Sequence, residues 1–173
     1  FFTIKPNLFS DLYRDLCALG CAHYRPYIVN ATDSNILDGD GNLVYSHAGN
    51  PREGEYDYIL CTYSQINSDK ISAKRREFIS ARAAGTICIL DESHSASGAS
   101  STTNYMYELL ATRASGALFM SATFAKRPDN MLLYCSKTLL RNMFETGSTD
   151  IDTQREQITG AFANGGVPLQ EVV

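Results

Sequence analysis

The stretch Thr86-Ile87-Cys88-Ile89-Leu90 runs straight into Asp91-Glu92-Ser93-His94, an apolar segment rich in β-branched side chains that stops at two adjacent acids. A short apolar run of this kind reads as a strand covered on both faces, as in a parallel sheet whose two sides carry helices. Periodicity alone leaves a short buried helix open, but Gly85 before the run and the polar Ser93-His94-Ser95-Ala96-Ser97-Gly98 after it favour the strand. Parallel strands need crossover connections, so this one segment commits the chain to βαβ units. In open α/β sheets ligands arrive outside the carboxyl ends of the strands, which puts Asp91 and Glu92 where a ligand is met.

The rest of the chain carries the matching alternation. Residues 1–4 read as a strand, and Leu8, Leu12, Leu16 and Leu19 then recur at helical spacing, with Gly20 placed to end a helix that packs on the sheet. A second short strand is expected at 27–30, a hairpin around a Gly-rich turn at 36–45, and a further strand at 56–62. Residues 72–82 form a predicted helix bearing Lys74, Arg75 and Arg76, which read as a solvated face or as a phosphate contact. The Ser/Thr-rich segment 93–103 suits a loop followed by a helix cap, and Tyr105, Leu109, Leu110 and Ala114 should face the sheet from the helix it starts. A second apolar strand follows from Gly116, with helices around 130–144 and 153–162. Right-handed crossovers through these elements give an α/β fold, a parallel sheet with helices on both faces.

Composition narrows the class. The 173 residues suffice for one domain with a real core, and 44% hydrophobic with 20% charged residues is ordinary for a globular protein. No apolar run reaches the roughly 18 residues of a membrane span and no cleavable leader opens the chain, so the expectation is an intracellular protein with no membrane partner, cytoplasmic if bacterial or viral and nuclear if eukaryotic. A net charge of −4 argues against a strongly basic nucleic-acid coat and leaves local patches to do any phosphate binding. Cysteines 17, 21, 61, 88 and 135 form no pairwise framework and read as reduced thiols. Cys17, Cys21 and His23 lack a second ligand pair at zinc spacing, and small buried residues are the expectation for the two thiols. The acids of the hairpin invite a calcium loop, but the bidentate Glu such a loop needs at its twelfth position would fall on Gly49, so turn chemistry is preferred.

Adjacent carboxylates at a strand end can do different work. An Asp there suits Mg²⁺, which keeps most of its waters and takes one or two carboxylates plus substrate phosphates, and a second acid can orient or deprotonate a water. The bland alternative is that the pair opens a loop and caps a helix. Downstream, Gly116-Ala117-Leu118-Phe119-Met120-Ser121-Ala122-Thr123 is a second apolar run ending in small hydroxyl residues. A strand ending Asp91-Glu92-Ser93-His94 followed by one ending Ser121-Ala122-Thr123 resembles motifs two and three of superfamily-two helicases and translocases. Phe1-Phe2-Thr3-Ile4-Lys5-Pro6-Asn7-Leu8 resembles their first nucleic-acid-contacting motif and Tyr58-Ile59-Leu60-Cys61-Thr62-Tyr63-Ser64-Gln65 the next, in the same order. The wording of Lys5-Pro6-Asn7-Leu8-Phe9-Ser10-Asp11, of Ser121-Ala122-Thr123-Phe124-Ala125-Lys126-Arg127-Pro128 and of Gly165-Gly166-Val167-Pro168-Leu169-Gln170 resembles the strawberry notch family of helicase-like ATPases, over nearly the whole chain.

That resemblance implies a RecA-like, P-loop NTPase fold, with 1–146 as a partial first helicase lobe and 147–173 as its C-terminal helical extension. It implies ATP hydrolysis with Mg²⁺ coupled to binding of nucleic acid, DNA or RNA. Asp91 would hold the metal, Glu92 would activate the attacking water, and His94, Ser121 and Thr123 would link nucleotide state to nucleic-acid grip, while Ser93 has no assigned chemistry. Lys5, Asn7 and Thr62 would contact the sugar-phosphate backbone. The phosphate loop Gly-x-x-x-x-Gly-Lys-[Ser/Thr] that opens such folds is absent from the sequence. In the family it lies upstream of the segment Phe1 begins, and a second RecA-like lobe with the completing arginines lies beyond Val173, so the chain alone is expected to be inactive. Two rivals stand beside this reading. One is a non-catalytic RecA-like module that only binds nucleic acid or protein. The other is a Mg²⁺-dependent nuclease or phosphotransferase, which wants further acids at neighbouring strand ends, where Asn30, Thr62 and Thr123 stand instead.

Overall fold

The computed structural model describes residues 1–29, 34–67, 70–97, 100–122, 128–140 and 150–163. Asn30, Thr123, residues 141–144 and the Gly165 to Gln170 tail, all used in the reading above, lie outside the described residues. The strands that carry the α/β fold form one five-stranded, all-parallel sheet flanked by helices, in the order β2-β5-β1-β6-β7, where β1 is Phe2–Thr3, β2 Pro26–Ile28, β5 Tyr58–Thr62, β6 Ile87–Asp91 and β7 Gly116–Met120. This is the architecture of RecA-like and Rossmann-like domains. The chain divides into two compact units, Phe1–Asn67 and Ser68–Val173.

In the first unit β5 is the middle strand. It pairs with β2 through Pro26 opposite Tyr58 and Ile28 opposite Leu60, and with β1 through Phe2 opposite Cys61 and Thr3 opposite Thr62. Helix α1, Leu8–Ala18, presses its one fully buried residue, Phe9, into a cluster with Ile28, Ile36 and Leu60, with Leu12 and Tyr13 packed around it. The leucine spacing overshoots the packing: Leu19 is 77% exposed and Cys17 is exposed as well, because the helix ends at Ala18 and Gly20 turns the chain away at φ +77°. The expectation that Cys17 and Cys21 are buried is therefore corrected, since Cys21 is itself only partly covered. Strands β3, Asn35–Leu37, and β4, Leu43–Ser46, make the expected antiparallel hairpin. Asp38 closes its turn by accepting from the amides of Asp40 and Asn42 and from the Asn42 side chain. Those bonds hold the Asp38 carboxyl below the usual aspartate range, the turn chemistry of an Asx motif.

In the second unit β6 and β7 pair in parallel from Ile87 opposite Gly116 to Asp91 opposite Met120. Helix α2, Lys70–Arg82, and helix α3, Ser101–Thr112, are joined through Tyr105, whose hydroxyl donates to the Arg76 carbonyl at 3.0 Å. The Arg76 guanidinium lies over the Tyr105 ring and donates to Ser101. Ser100 caps α3 by accepting from the Thr103 amide, and Tyr105, Leu109, Leu110 and Ala114 are buried as expected, joined by Met106. Helix α4, Met131–Cys135, packs with α5, Ile151–Ala163, in a cluster of Met131, Leu132, Tyr134, Cys135 and Ile158 that also receives Phe119. Of the helix expected around 130–144, the described residues form Met131–Cys135. The chain tightens after Cys135 into bonds from the Ser136 amide to the Leu133 carbonyl and from the Lys137 amide to the Tyr134 carbonyl.

The two faces of β6 and β7 are covered unequally: Cys88 and Leu90 are buried and Ile89 is partly covered, while Ile87 is 69%, Leu118 50% and Met120 37% exposed.

Candidate functional site

β6 delivers Asp91 at its carboxyl end, and the chain then makes an abrupt turn. Glu92 adopts φ +49° and ψ +46°, the only left-handed non-glycine residue among the described residues. A non-glycine side chain there meets its own carbonyl, at a cost of about 1–2 kcal/mol. Strain of this kind persists only where surrounding contacts over-determine it, and it clusters at functional sites. Here the contacts are on both sides of the turn. A 3₁₀ turn follows, Ser93–Ala96, in which the Ser95 amide donates to the Glu92 carbonyl at 2.8 Å. The Ser97 hydroxyl donates to the His94 carbonyl at 2.7 Å.

This turn carries His94 toward the end of the neighbouring strand. Because Asp91 stands opposite Met120, the residue just past β7 is Ser121, and His94 Nδ1 lies 2.7 Å from its hydroxyl oxygen. The same nitrogen is 3.2 Å from Glu92 Oε2. The hydrogen bond is the one to Ser121, in which either the ring nitrogen or the hydroxyl can donate according to the imidazole tautomer, and the Glu92 carboxylate lies alongside it. The His94 and Glu92 side chains are 30% and 36% exposed. At that exposure the contact adds little to stability, and its effect is on where the carboxylate points. Glu92, His94 and Ser121, three of the residues read from the sequence, thus meet at adjacent strand ends, and Asp91 precedes them as the last residue of β6. Thr123 lies outside the described residues.

Ser93, to which the sequence reading gave no task, is 1% exposed, and its hydroxyl shares a 3.0 Å hydrogen bond with the hydroxyl of Tyr134, itself 1% exposed. Burial raises the Tyr134 phenol above its usual pKa while the Ser93 bond pulls the other way, so it is a neutral partner at physiological pH. The Tyr134 ring meets Phe119 of β7 edge-on at 5.0 Å. Nothing local in the sequence marks this pair, which is separated by 41 positions.

The residues read as nucleic-acid contacts belong to the first unit. Lys5 is exposed in the turn after β1, and its carbonyl accepts from the Leu8 amide as α1 begins. Asn7 is exposed at the helix N-cap position without a side-chain capping bond. Thr62 is different, being 1% exposed and paired in register with the fully buried Thr3. Its hydroxyl lies 3.0 Å from that of Ser64, which is exposed, so the hydroxyl a ligand would meet at this strand end is the one on Ser64. Of the basic cluster on α2, Arg76 is engaged by Ser101 and Tyr105, and Lys74 is left on the exposed side.

The acid pair fits Mg²⁺ of the kind that retains its waters. Among the described residues no group of three or more His, Cys, Asp and Glu side chains could cage a metal ion, whereas one hard carboxylate from Asp91 beside a phosphate is enough for Mg²⁺. A cleft of about 550 Å³ in the same unit, lined by residues that include Arg76, Tyr105, Glu108 and Asp150, contains none of the acid-pair residues. No helix among the described residues is long and apolar enough to cross a membrane. Comparison with protein-family models, with curated proteins and with solved structures found no match.

Proposed function

We propose that this chain is part of the first RecA-like lobe of an ATP-dependent, helicase-like NTPase of the strawberry notch type, which couples ATP hydrolysis to nucleic-acid binding. The observation that carries the reading is the His94–Ser121 hydrogen bond, which joins the turn after β6 to the end of β7 with the Glu92 carboxylate 3.2 Å from the same His94 nitrogen. In this reading Asp91 holds Mg²⁺, which supplies charge stabilisation to the phosphates. Glu92 accepts the proton of the attacking water, and the left-handed turn sets its carboxylate off from that of Asp91. His94 ties Glu92 to Ser121, with Thr123 beyond it, so a change at the nucleotide is felt at the next strand end. Hydrogen bonds of this type exchange at small cost and suit a coupling role. Lys5 and Asn7, with Ser64 in front of Thr62, supply backbone contacts that grip without reading sequence. Phosphoryl transfer rests on positioning and charge stabilisation, so in this reading the acids act beside groups that hold the phosphates.

The test is Glu92→Gln in the full-length protein. ATP binding is retained and hydrolysis falls by about 10²–10⁴-fold, the usual contribution of a positioned base. Turnover close to the parent's overturns the reading. Nucleic-acid binding in a full-length protein that hydrolyses no ATP at all favours the non-catalytic binding module.

A further inference from the structure

Left to itself, Glu92 relaxes from its left-handed conformation toward the right-handed region, which swings its carboxylate away from His94 and alters its spacing from Asp91. The bonds inside the turn, from the Ser95 amide to the Glu92 carbonyl and from Ser97 to the His94 carbonyl, are local and move with it. Among the described residues, two side-chain bonds tie the turn to distant parts of the unit. One is His94 to Ser121, already part of the proposed machinery. The other is Ser93 to Tyr134, which the proposed reaction does not use. It has the better anchor of the two. Both of its residues are buried, each 1% exposed, and the Tyr134 ring is fixed by Phe119 and by a cluster of Met131, Leu132, Cys135 and Ile158. A buried hydroxyl also has no water to fall back on, so each member holds the other in place.

We propose that Tyr134 is a positioning residue for the acid pair: through Ser93 it holds the strained turn that presents Glu92 for catalysis. The inference rests on the ATPase reading and deepens it, since it makes α4 a support of the site. Tyr134 touches neither the reacting atoms nor the metal. It sets the angle at which Glu92 is offered, and a misplacement of about 1 Å at a reacting group costs up to roughly 10²-fold in rate.

The experiment uses full-length protein and four variants, Glu92→Gln, Tyr134→Phe, Ser93→Ala and the Ser93→Ala/Tyr134→Phe double. Steady-state ATP hydrolysis is measured together with deuterium uptake by the peptide covering residues 91–97. Tyr134→Phe keeps the ring and its packing, so folding is preserved. Each single variant lowers kcat about 10- to 100-fold with KM for ATP little changed, and deuterium uptake in the 91–97 peptide rises while that in α3 does not. The double variant is no worse than the poorer single, since the two hydroxyls act as one contact. Unchanged uptake in the 91–97 peptide overturns the proposal whatever the rates. Faster uptake with undiminished kcat overturns it too, by showing that the tie is structural only. Parent-like turnover in Glu92→Gln overturns the ATPase reading itself and this inference with it, whereas an inactive Glu92→Gln beside fully active Tyr134→Phe and Ser93→Ala overturns the inference alone.

Discussion

Glu92 is held at a backbone angle that favours glycine, and the side chain found there is an acid. The order of stability at this position should therefore be the reverse of the usual one. Glycine in an ordinary helix or strand is less stable than alanine by about 0.5–1 kcal/mol, whereas at a left-handed position alanine meets its own carbonyl and glycine does not. Both substitutions delete the carboxylate and its contact with His94, so comparing them isolates the backbone. Glu92→Gly is expected to unfold at higher urea concentration than Glu92→Ala, by an amount worth about 1 kcal/mol. Equal midpoints would mean that the turn relaxes freely and stores no strain. Neither variant should hydrolyse ATP, so stability and activity part company at one residue. An acid in a strained position that glycine would occupy more cheaply fits a residue kept for its chemistry.

At the level of elements, helix starts show how local chemistry is written into the chain. Asp150 accepts from the amide and hydroxyl of Thr153 and so caps α5. These bonds lower its carboxyl below the ordinary aspartate value of 3.8. The folded pKa is depressed, so the capping contribution is complete above the unfolded value and is lost as pH falls through the folded one. Protection of the Thr153 amide, its exchange rate relative to the intrinsic rate at the same pH, is expected to be full at neutral pH and to fall below about pH 4, ahead of protection in α3, whose cap is the neutral Ser100. Simultaneous loss of protection in both helices would assign the change to global unfolding. Caps, turn glycines and strand-end acids could be read from the sequence because their partners sit within a few residues. The same locality made Asp91, Glu92, His94 and Ser121 readable, each at the end of an apolar run. What could not be read depends on long-range packing. Leu19 shares the spacing of Leu12 and yet lies past the end of α1, Thr62 is sealed behind Ser64, and the Ser93 partner Tyr134 is on another helix. The exposed face of Ile87, Leu118 and Met120 was hidden for a related reason, since an apolar run does not announce which of its sides the chain will cover.

For the molecule as a whole, a net charge of −4 repels polyanions at long range, although screening limits this to about 10 Å at 0.1 M salt. In the proposed reading, grip on nucleic acid comes from individual cations placed against the phosphates. Lys5→Ala is expected to weaken binding to all sequences alike and to reduce the slope of log affinity against log salt by about 1. Fluorescence anisotropy at several salt concentrations measures both. An unaltered slope would move the path away from Lys5, with the exposed Lys74 the next residue to replace. The strand order has a consequence of another kind, in time. Neither β1 nor β2 pairs with the other, and both pair with β5, which is made more than fifty residues after Phe2. At about 5–20 residues per second a ribosome takes on the order of several seconds to cover that distance. By the end of that interval Phe2, Phe9 and Ile28 have been synthesised but still lack β5, whose Leu60 completes the cluster of Phe9, Ile28 and Ile36. The nascent chain is at its most adhesive then, and it becomes safe when Tyr58–Thr62 clears the exit tunnel and slides between its two waiting neighbours.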